Sequence, residues 1–287
     1  MIFIGDKLSY SMAAVDTLTP QPGNVTAKLF TTGTQIWDAA FDGNRDELYV
    51  AASSQVDVYS AASKLDGTIK PTRTIVPVIS GLLFVQRVFL DKANDRLYLG
   101  VKAAFNGSVA VFEQASKLSG SVAPSRIISG QILGSNFTLD LKRNLLYTSW
   151  CCSSPQEILV FEHIDTAKGE TAIARRISTR DSVSSLAVDS SRDRLYITGA
   201  GSGRINILDG ASTASGSAPV TSLSLPTSRN GFAITIDAAN DRLYAGFGSL
   251  AFVLNDASKL SNGSATAQAA AIVGPADTLI SYFAVPQ

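Results

Sequence analysis

Histidine and cysteine are almost missing from this chain of 287 residues: His163 stands alone, and the two cysteines, Cys151 and Cys152, are adjacent. A single histidine cannot furnish a multi-histidine metal site, and it leaves little material for a Ser-His-Asp triad. Net charge is absent as well, with 24 Lys and Arg against 24 Asp and Glu, and charged residues make up only 17%. That balance argues against nonspecific binding to nucleic acid or to an anionic membrane. The longest nearly apolar stretch, residues 76–85, is broken by Pro77, Ser80 and Gly81 and is too short to span a bilayer. The opening Met-Ile-Phe-Ile-Gly-Asp lacks the basic head and long apolar run of a signal peptide. Helical periodicity is missing throughout. What is present is 45% apolar residues, ample for a core.

The chain repeats itself. Asp-Glu-Leu-Tyr-Val at 46–50 returns as Asp-Arg-Leu-Tyr-Leu at 95–99, Asn-Leu-Leu-Tyr-Thr at 144–148, Asp-Arg-Leu-Tyr-Ile at 193–197 and Asp-Arg-Leu-Tyr-Ala at 241–245. The tyrosines Tyr49, Tyr98, Tyr147, Tyr196 and Tyr244 are therefore 49, 49, 49 and 48 residues apart. Seven residues before each sits an aspartate: Asp42, Asp91, Asp140, Asp189 and Asp237. Within a unit the apolar pattern has period two, with Gly, Asn, Asp and Ser at the breaks, which predicts short strands. In the second full unit these are strand A at 87–91, B at 96–100, C at 108–112 and D at 125–128. The link between A and B is of hairpin length, with Asn94-Asp95 in the turn. Four antiparallel strands repeated at this period form one blade of a β-propeller.

The ends set the number of blades. Residues 1–35 carry strands B, C and D of a further unit, at 2–4, 8–12 and 27–30, and residues 281–285 occupy the strand A position. Five whole blades and one split blade give an all-β, six-bladed propeller occupying residues 1–287 as a single domain. Its ring is closed by strand A from the C-terminus and strands B–D from the N-terminus, which pairs the edges an open array would expose. The units resemble the bacterial propeller repeats of the NHL and YVTN kind, and the ring resembles the six-bladed TolB-like group. The resemblance runs along the whole chain through Asp-x-x-x-Asp-Arg-Leu-Tyr, as at 91–98, and the following Val-x-Val-Phe, as at 109–112. Relatives of this shape include lactonases and gluconolactonases, peptide-binding modules, glycan binders and structural domains, so the fold does not choose among them.

Residues that recur once per blade lie on a ring and never converge, so the repeated aspartates, together with Arg96, Arg194 and Arg242, read as turn caps and ion pairs. The repeated tyrosines and leucines read as packing between blades. The C–D loops at 62–67, 115–120 and 257–262 also recur, as Ala-Ser-Lys-Leu followed by Asp-Gly, Ser-Gly or Ser-Asn; they belong on the face of the A–B turns. His163 falls in one of these loops.

Residues that differ between blades mark specialisation. Four positions before the recurring aspartate the blades carry Asp38, Arg87, Asn136, Ser185, Ala233 and Tyr282. Strand A is innermost, so these positions are expected to ring the mouth of the central channel, with Trp37 and Phe232 adding aromatic surface. Such a funnel would bind a small polar ligand or sugar, or hold ordered water. A second recognition element is the B–C loop with Trp150, Cys151 and Cys152. Adjacent Cα atoms, about 3.8 Å apart, are closer than disulfides prefer, which favours two free thiols. Resemblance to gluconolactonase-like and paraoxonase-like enzymes implies oxygen ligands for a divalent cation at the mouth, here Asp38 and Asn136 with calcium as the candidate ion. No glutamate joins them, and Arg87 opposes a cation. The segment 246–251 fits a dinucleotide fingerprint only formally, since it joins two strands.

The leading expectation is a non-enzymatic, extracellular or periplasmic propeller, without cofactor, that recognises a protein, peptide or glycan at the mouth face. No nucleic-acid binding or membrane insertion is expected. The alternatives are a divalent-cation-dependent lactonase or gluconolactonase-like hydrolase, and a structural subunit that self-assembles at a surface. Low charge and abundant Ser, Thr, Ala and Gly suit an extracytoplasmic setting, and Asn24, Asn106, Asn136 and Asn262 begin Asn-x-Ser/Thr triplets.

Overall fold

Six sheets stand in a ring, one for each unit of the repeat, in a computed structural model. It describes residues 1–5, 10–15, 28–103, 106–130, 136–149, 156–179, 181–199, 203–261, 263–264, 268–270 and 280–285. Blade 1 consists of strands A (Ile36–Asp42), B (Glu47–Ala52), C (Gln55–Ser60) and D (Arg73–Pro77). Blade 2 has Leu82–Asp91, Arg96–Ala103, Asn106–Glu113 and Arg126–Ser129 in the same order. Blade 3 has Phe137–Asp140, Leu145–Ser149, Glu157–Phe161 and Arg175–Ser178, and blade 4 has Ser185–Asp189, Arg194–Thr198, Arg204–Asp209 and Thr221–Ser224. Blade 5 has Gly231–Asp237, Arg242–Phe247, Leu250–Asn255 and Gln268–Ala270. The split blade joins Ile2–Gly5, Ser11–Val15 and Lys28–Thr31 to Tyr282–Ala284.

The seam of the ring is an antiparallel pair in which Phe3, Ile4 and Gly5 face Ala284, Phe283 and Tyr282. Gly5 is required there, because a Cβ at this position would overlap the Tyr282 ring and hydroxyl. Strand C of the split blade begins three residues later than the sequence suggests. Alternation at Leu8, Tyr10 and Met12 fits a strand equally well, and only pairing with Ile2–Gly5 selects Ser11–Val15.

Four strands do not complete a blade. The C–D loop of one blade lays a short parallel strand on strand D of the blade before it: Gly67–Thr68 on Lys28–Thr31, Gly120–Val122 on Arg73–Pro77, Gly169–Glu170 on Arg126–Ser129 and Gly263–Ser264 on Thr221–Ser224. A single parallel bridge, Ile177 to Gly216, does the same between blades 3 and 4. These segments are too short and too polar to register as strands by periodicity.

The buried side chains form six clusters, each shared by two adjacent blades. Every repeated tyrosine sits in one. Tyr98 of blade 2, for example, packs with Phe137 and Leu146 of blade 3, and Tyr196 of blade 4 with Ile234 and Leu243 of blade 5. Burying such a side chain contributes about 1.5–3 kcal/mol, so the repeat is written at the interfaces that hold the ring.

The turns explain the other repeated residues. Asp42, Asp91, Asp140, Asp189 and Asp237 each accept a backbone N–H two or three residues ahead, from Asn44, Asn94, Arg143, Ser191 and Asn240. Asp46, Asp95, Asn144, Asp193 and Asp241 have φ between 51° and 56°, a left-handed conformation that Asp and Asn tolerate best among residues with a side chain. In four blades that aspartate also grips the C–D loop: Asp95 takes the Ser116 N–H at 3.0 Å and its hydroxyl at 2.7 Å, and Ser63, Ser212 and Ser258 repeat the contact. These bonds put the C–D loops on the face of the A–B turns. His163 lies on that face too, in the left-handed position that Gln114 fills in blade 2.

Candidate functional site

The innermost strands surround a cavity of about 370 Å³, within the range of small-ligand pockets. Asp38, Arg87, Ser185, Ala233 and Tyr282 line it four positions before the A–B aspartate or its equivalent, and Lys142, Ser190 and Ser191 line it at the A–B turns. Five of the six expected mouth positions are thus brought together.

Their side chains differ in what they are free to do. Asp38 is only 3% exposed; its Oδ2 accepts the Val88 N–H of blade 2 at 2.8 Å and lies 3.6 Å from Arg87 Nε. Asn136 is turned the same way, donating from Nδ2 to the Ser184 carbonyl of blade 4 at 2.6 Å. It is not among the residues lining the cavity. Asp38 and Asn136 therefore tie the innermost backbone of the next blade. That backbone needs such partners because the inner edge of strand A has no neighbouring strand. Tyr282 lines the cavity yet is 2% exposed, being packed over Gly5 at the seam. No group of three or more His, Cys, Asp or Glu side chains suited to a metal gathers among the described residues.

Trp37 and Phe232 sit at β-bulges. Pairing skips from Ile36 to Asp38 in blade 1 and from Gly231 to Ala233 in blade 5. Blade 2 skips Gln86 at the equivalent place. A bulge leaves its extra residue unpaired and re-aims the side chain; Trp37 stacks against Phe84 with ring centroids 5.3 Å apart, and neither Trp37 nor Phe232 lines the cavity. Trp150, Cys151 and Cys152 lie outside the described residues.

Blade 2 carries a feature that the sequence reading passed over. Its strand A has 10 residues and its strands B and C have 8 each, against 4, 5 and 5 in blade 3. The additional length forms a tongue that rises on the mouth face and is tied at its base by the Val85 N–H to the Ser53 carbonyl at 2.7 Å. Leu83 and Phe84 on the tongue are exposed, as are Val76 near the end of strand D of blade 1 and Val78 on the connection leading to the tongue. The signal was the longest apolar stretch, residues 76–85: too short for a membrane, it serves as surface.

No family model matches the chain, and no curated protein matches it. Solved structures do. A chain of a nidogen/laminin complex aligns with a TM-score of 0.66 at 15% identity, covering 100% of this chain and 98% of that one. A chain of a mitotic checkpoint complex gives 0.53 at 17%, covering 79% and 64%. A luciferin-regenerating enzyme gives 0.56 at 12%, covering 86% and 83%. At these identities the likeness shows the propeller fold alone, and it spans both assemblies and an enzyme.

Proposed function

We propose that this propeller is a non-enzymatic binding module, working outside the cytoplasm, whose mouth face recognises a protein partner. One observation carries the reading. Of the six exposed large hydrophobic residues among those described, four fall within the continuous segment 76–84, with Val76 in strand D of blade 1, Val78 on the connection, and Leu83 and Phe84 at the start of strand A of blade 2. Apolar groups concentrated on one exposed element mark an interaction site more often than scattered ones do. The occurrence of propeller chains in a nidogen/laminin complex and a mitotic checkpoint complex is consistent with a protein partner. The best candidates for hydrolysis point elsewhere: Asp38 is paired with Arg87 and Asn136 with a backbone carbonyl.

The test compares the protein with a Leu83→Ser/Phe84→Ser variant as bait against extracellular proteins, followed by titration of each protein retained. A partner bound by the first and lost by the second supports the reading. Binding unaffected by the two substitutions defeats it, as does turnover of a lactone that Asp38→Ala abolishes. Light scattering before and after the substitutions identifies the case in which the partner is a second copy.

A further inference from the structure

We infer that Arg87 is a receptor for the carboxylate of a small ligand, held in the channel mouth with its body among the alanines below. The inference rests on the reading of the mouth face as the recognising face and gives that face a chemistry. Among the six varied positions, Asp38, Arg87, Asn136, Ser185, Ala233 and Tyr282, Arg87 is the only cation. It lines the cavity with its side chain 20% exposed. Its Nε is buried without a hydrogen-bond partner, and no hydrogen bond from the guanidinium to any described residue occurs.

Most arginines here do otherwise, although Arg204 and Arg242 also donate to no carbonyl or carboxylate among the described residues. Arg45, Arg73, Arg126, Arg143, Arg175, Arg192 and Arg194 all donate to a carbonyl or a carboxylate. The buried Nε has only the ion pair to Asp38 at 3.6 Å, while the exposed part of the guanidinium can exchange water for a ligand oxygen. Asp38 supplies the restraint. It lies behind the guanidinium on the Nε side, with Oδ2 already taken by the Val88 N–H. The two terminal nitrogens remain to form the planar fork that matches a carboxylate.

The rest of the cavity narrows the class. Ser185 and Thr138 are the polar neutral residues of its wall near Arg87, and Ala40, Ala187 and Ala233 line it with small apolar side chains. The carboxylate of Asp38 so close by opposes a second negative charge beside the first, which favours a single carboxylate at the Arg87 end of the cavity, whose far end is lined by Lys142 and Asp237. A cavity of about 370 Å³ accepts a small hydroxy or sugar acid, or the terminal residue of a peptide chain; in either case the carboxylate is the group recognised.

Calorimetric titration at low salt decides it, with gluconate against glucose, and trialanine with a free C-terminus against its amide. Binding of either acid over its neutral control is expected, and the pair that responds identifies the source of the carboxylate. The double variant Asp38→Asn/Arg87→Gln keeps shape and neutrality, so that no buried charge is left alone. It is expected to bind the acid about tenfold more weakly or worse, and Arg87→Lys to fall between because the fork is lost. Acids bound no better than their neutral controls overturn the inference, as does undiminished binding by the double variant. The Leu83→Ser/Phe84→Ser test stands apart: a partner lost there with no response to either acid removes the carboxylate site and leaves the binding module in place.

Discussion

The two faces of the disc are built on opposite rules. On the turn face the same contacts come round blade after blade: aspartate caps, aspartate–serine grips on the C–D loops, and arginines that bridge to the next blade, as Arg143 does to its own Asp140 and to the Ser190 carbonyl of blade 4. On the mouth face no two of the varied positions carry the same residue, bulges interrupt the pairing at Trp37, Leu83, Gln86 and Phe232, and one blade extends a tongue. Recurrence marks what holds the ring, and departure from it marks what is left for recognition. Blade 3 shows how tightly the turn face is coupled. There Asn144 replaces the gripping aspartate, the serine position holds Asp165, and the preceding blade has Asn94 where its arginine would be. One carboxylate has moved, and the cation that would have bridged to it is gone.

The largest effect should come from the interfaces. Tyr98→Ala or Tyr196→Ala empties a fully buried ring site and is expected to cost about 3–5 kcal/mol in urea unfolding. Gly5→Ala attacks the seam by forcing Tyr282 aside, at about 1–3 kcal/mol; an unchanged midpoint would mean that the termini do not carry closure. Asp95→Ala removes both bonds to the half-buried Ser116 and the ion pair from Arg45, which keeps Asp42, and about 1 kcal/mol is expected, with the C–D loop of blade 2 losing hydrogen-exchange protection first.

Acidity separates two buried carboxylates. Burial works against the charge of Asp189, but hydrogen bonds from Ser191 and Arg192 outweigh it and hold the carboxyl below its ordinary value of 3.8. Its contribution is therefore present above that pH and lost as pH falls through the folded value. Asp57 in strand C of blade 1 is the reverse. Burial raises it, against hydrogen bonds from Thr74, Gln55 and Thr34, so its contribution is complete below pH 3.8 and declines as pH rises through the folded value. Asp57→Asn should gain on the parent as pH rises, and Asp189→Asn should soften the acid limb, both read from melting temperature against pH. The smallest effect on stability belongs to the mouth face: Leu83→Ser, at an exposed bulge, should stay within about 0.5 kcal/mol while partner binding falls.

Some of this was legible in the residues. The 49-residue period gave the blades, their strands and the split closure, because a repeated tyrosine needs a repeated interface. The arginine tethers were within reach. Arg73, Arg126 and Arg175 stand at the start of three D strands, and each guanidinium reaches a C–D loop carbonyl of the next blade, at Leu118, Ile164 and Ala214. In blade 4, where strand D begins with Thr221, Arg194 reaches across from strand B to Ser258 instead. No spacing announces that substitution. The outer parallel strands escaped for another reason, since two residues of backbone pairing leave no side-chain pattern.

The sequence by itself determined the ring, since apolar alternation and repeated turn residues act locally and identically in each blade. Only the tertiary structure decided which of the varied side chains are available. A strand shows alternate residues to opposite sides only until a bulge intervenes, as at Trp37 and Phe232, and a polar group is free only if no neighbouring backbone claims it. Asp38 and Asn136 are claimed by the next blade, whereas Arg87 makes no hydrogen bond to the described residues around it; that distinction depends on how one blade leans on another.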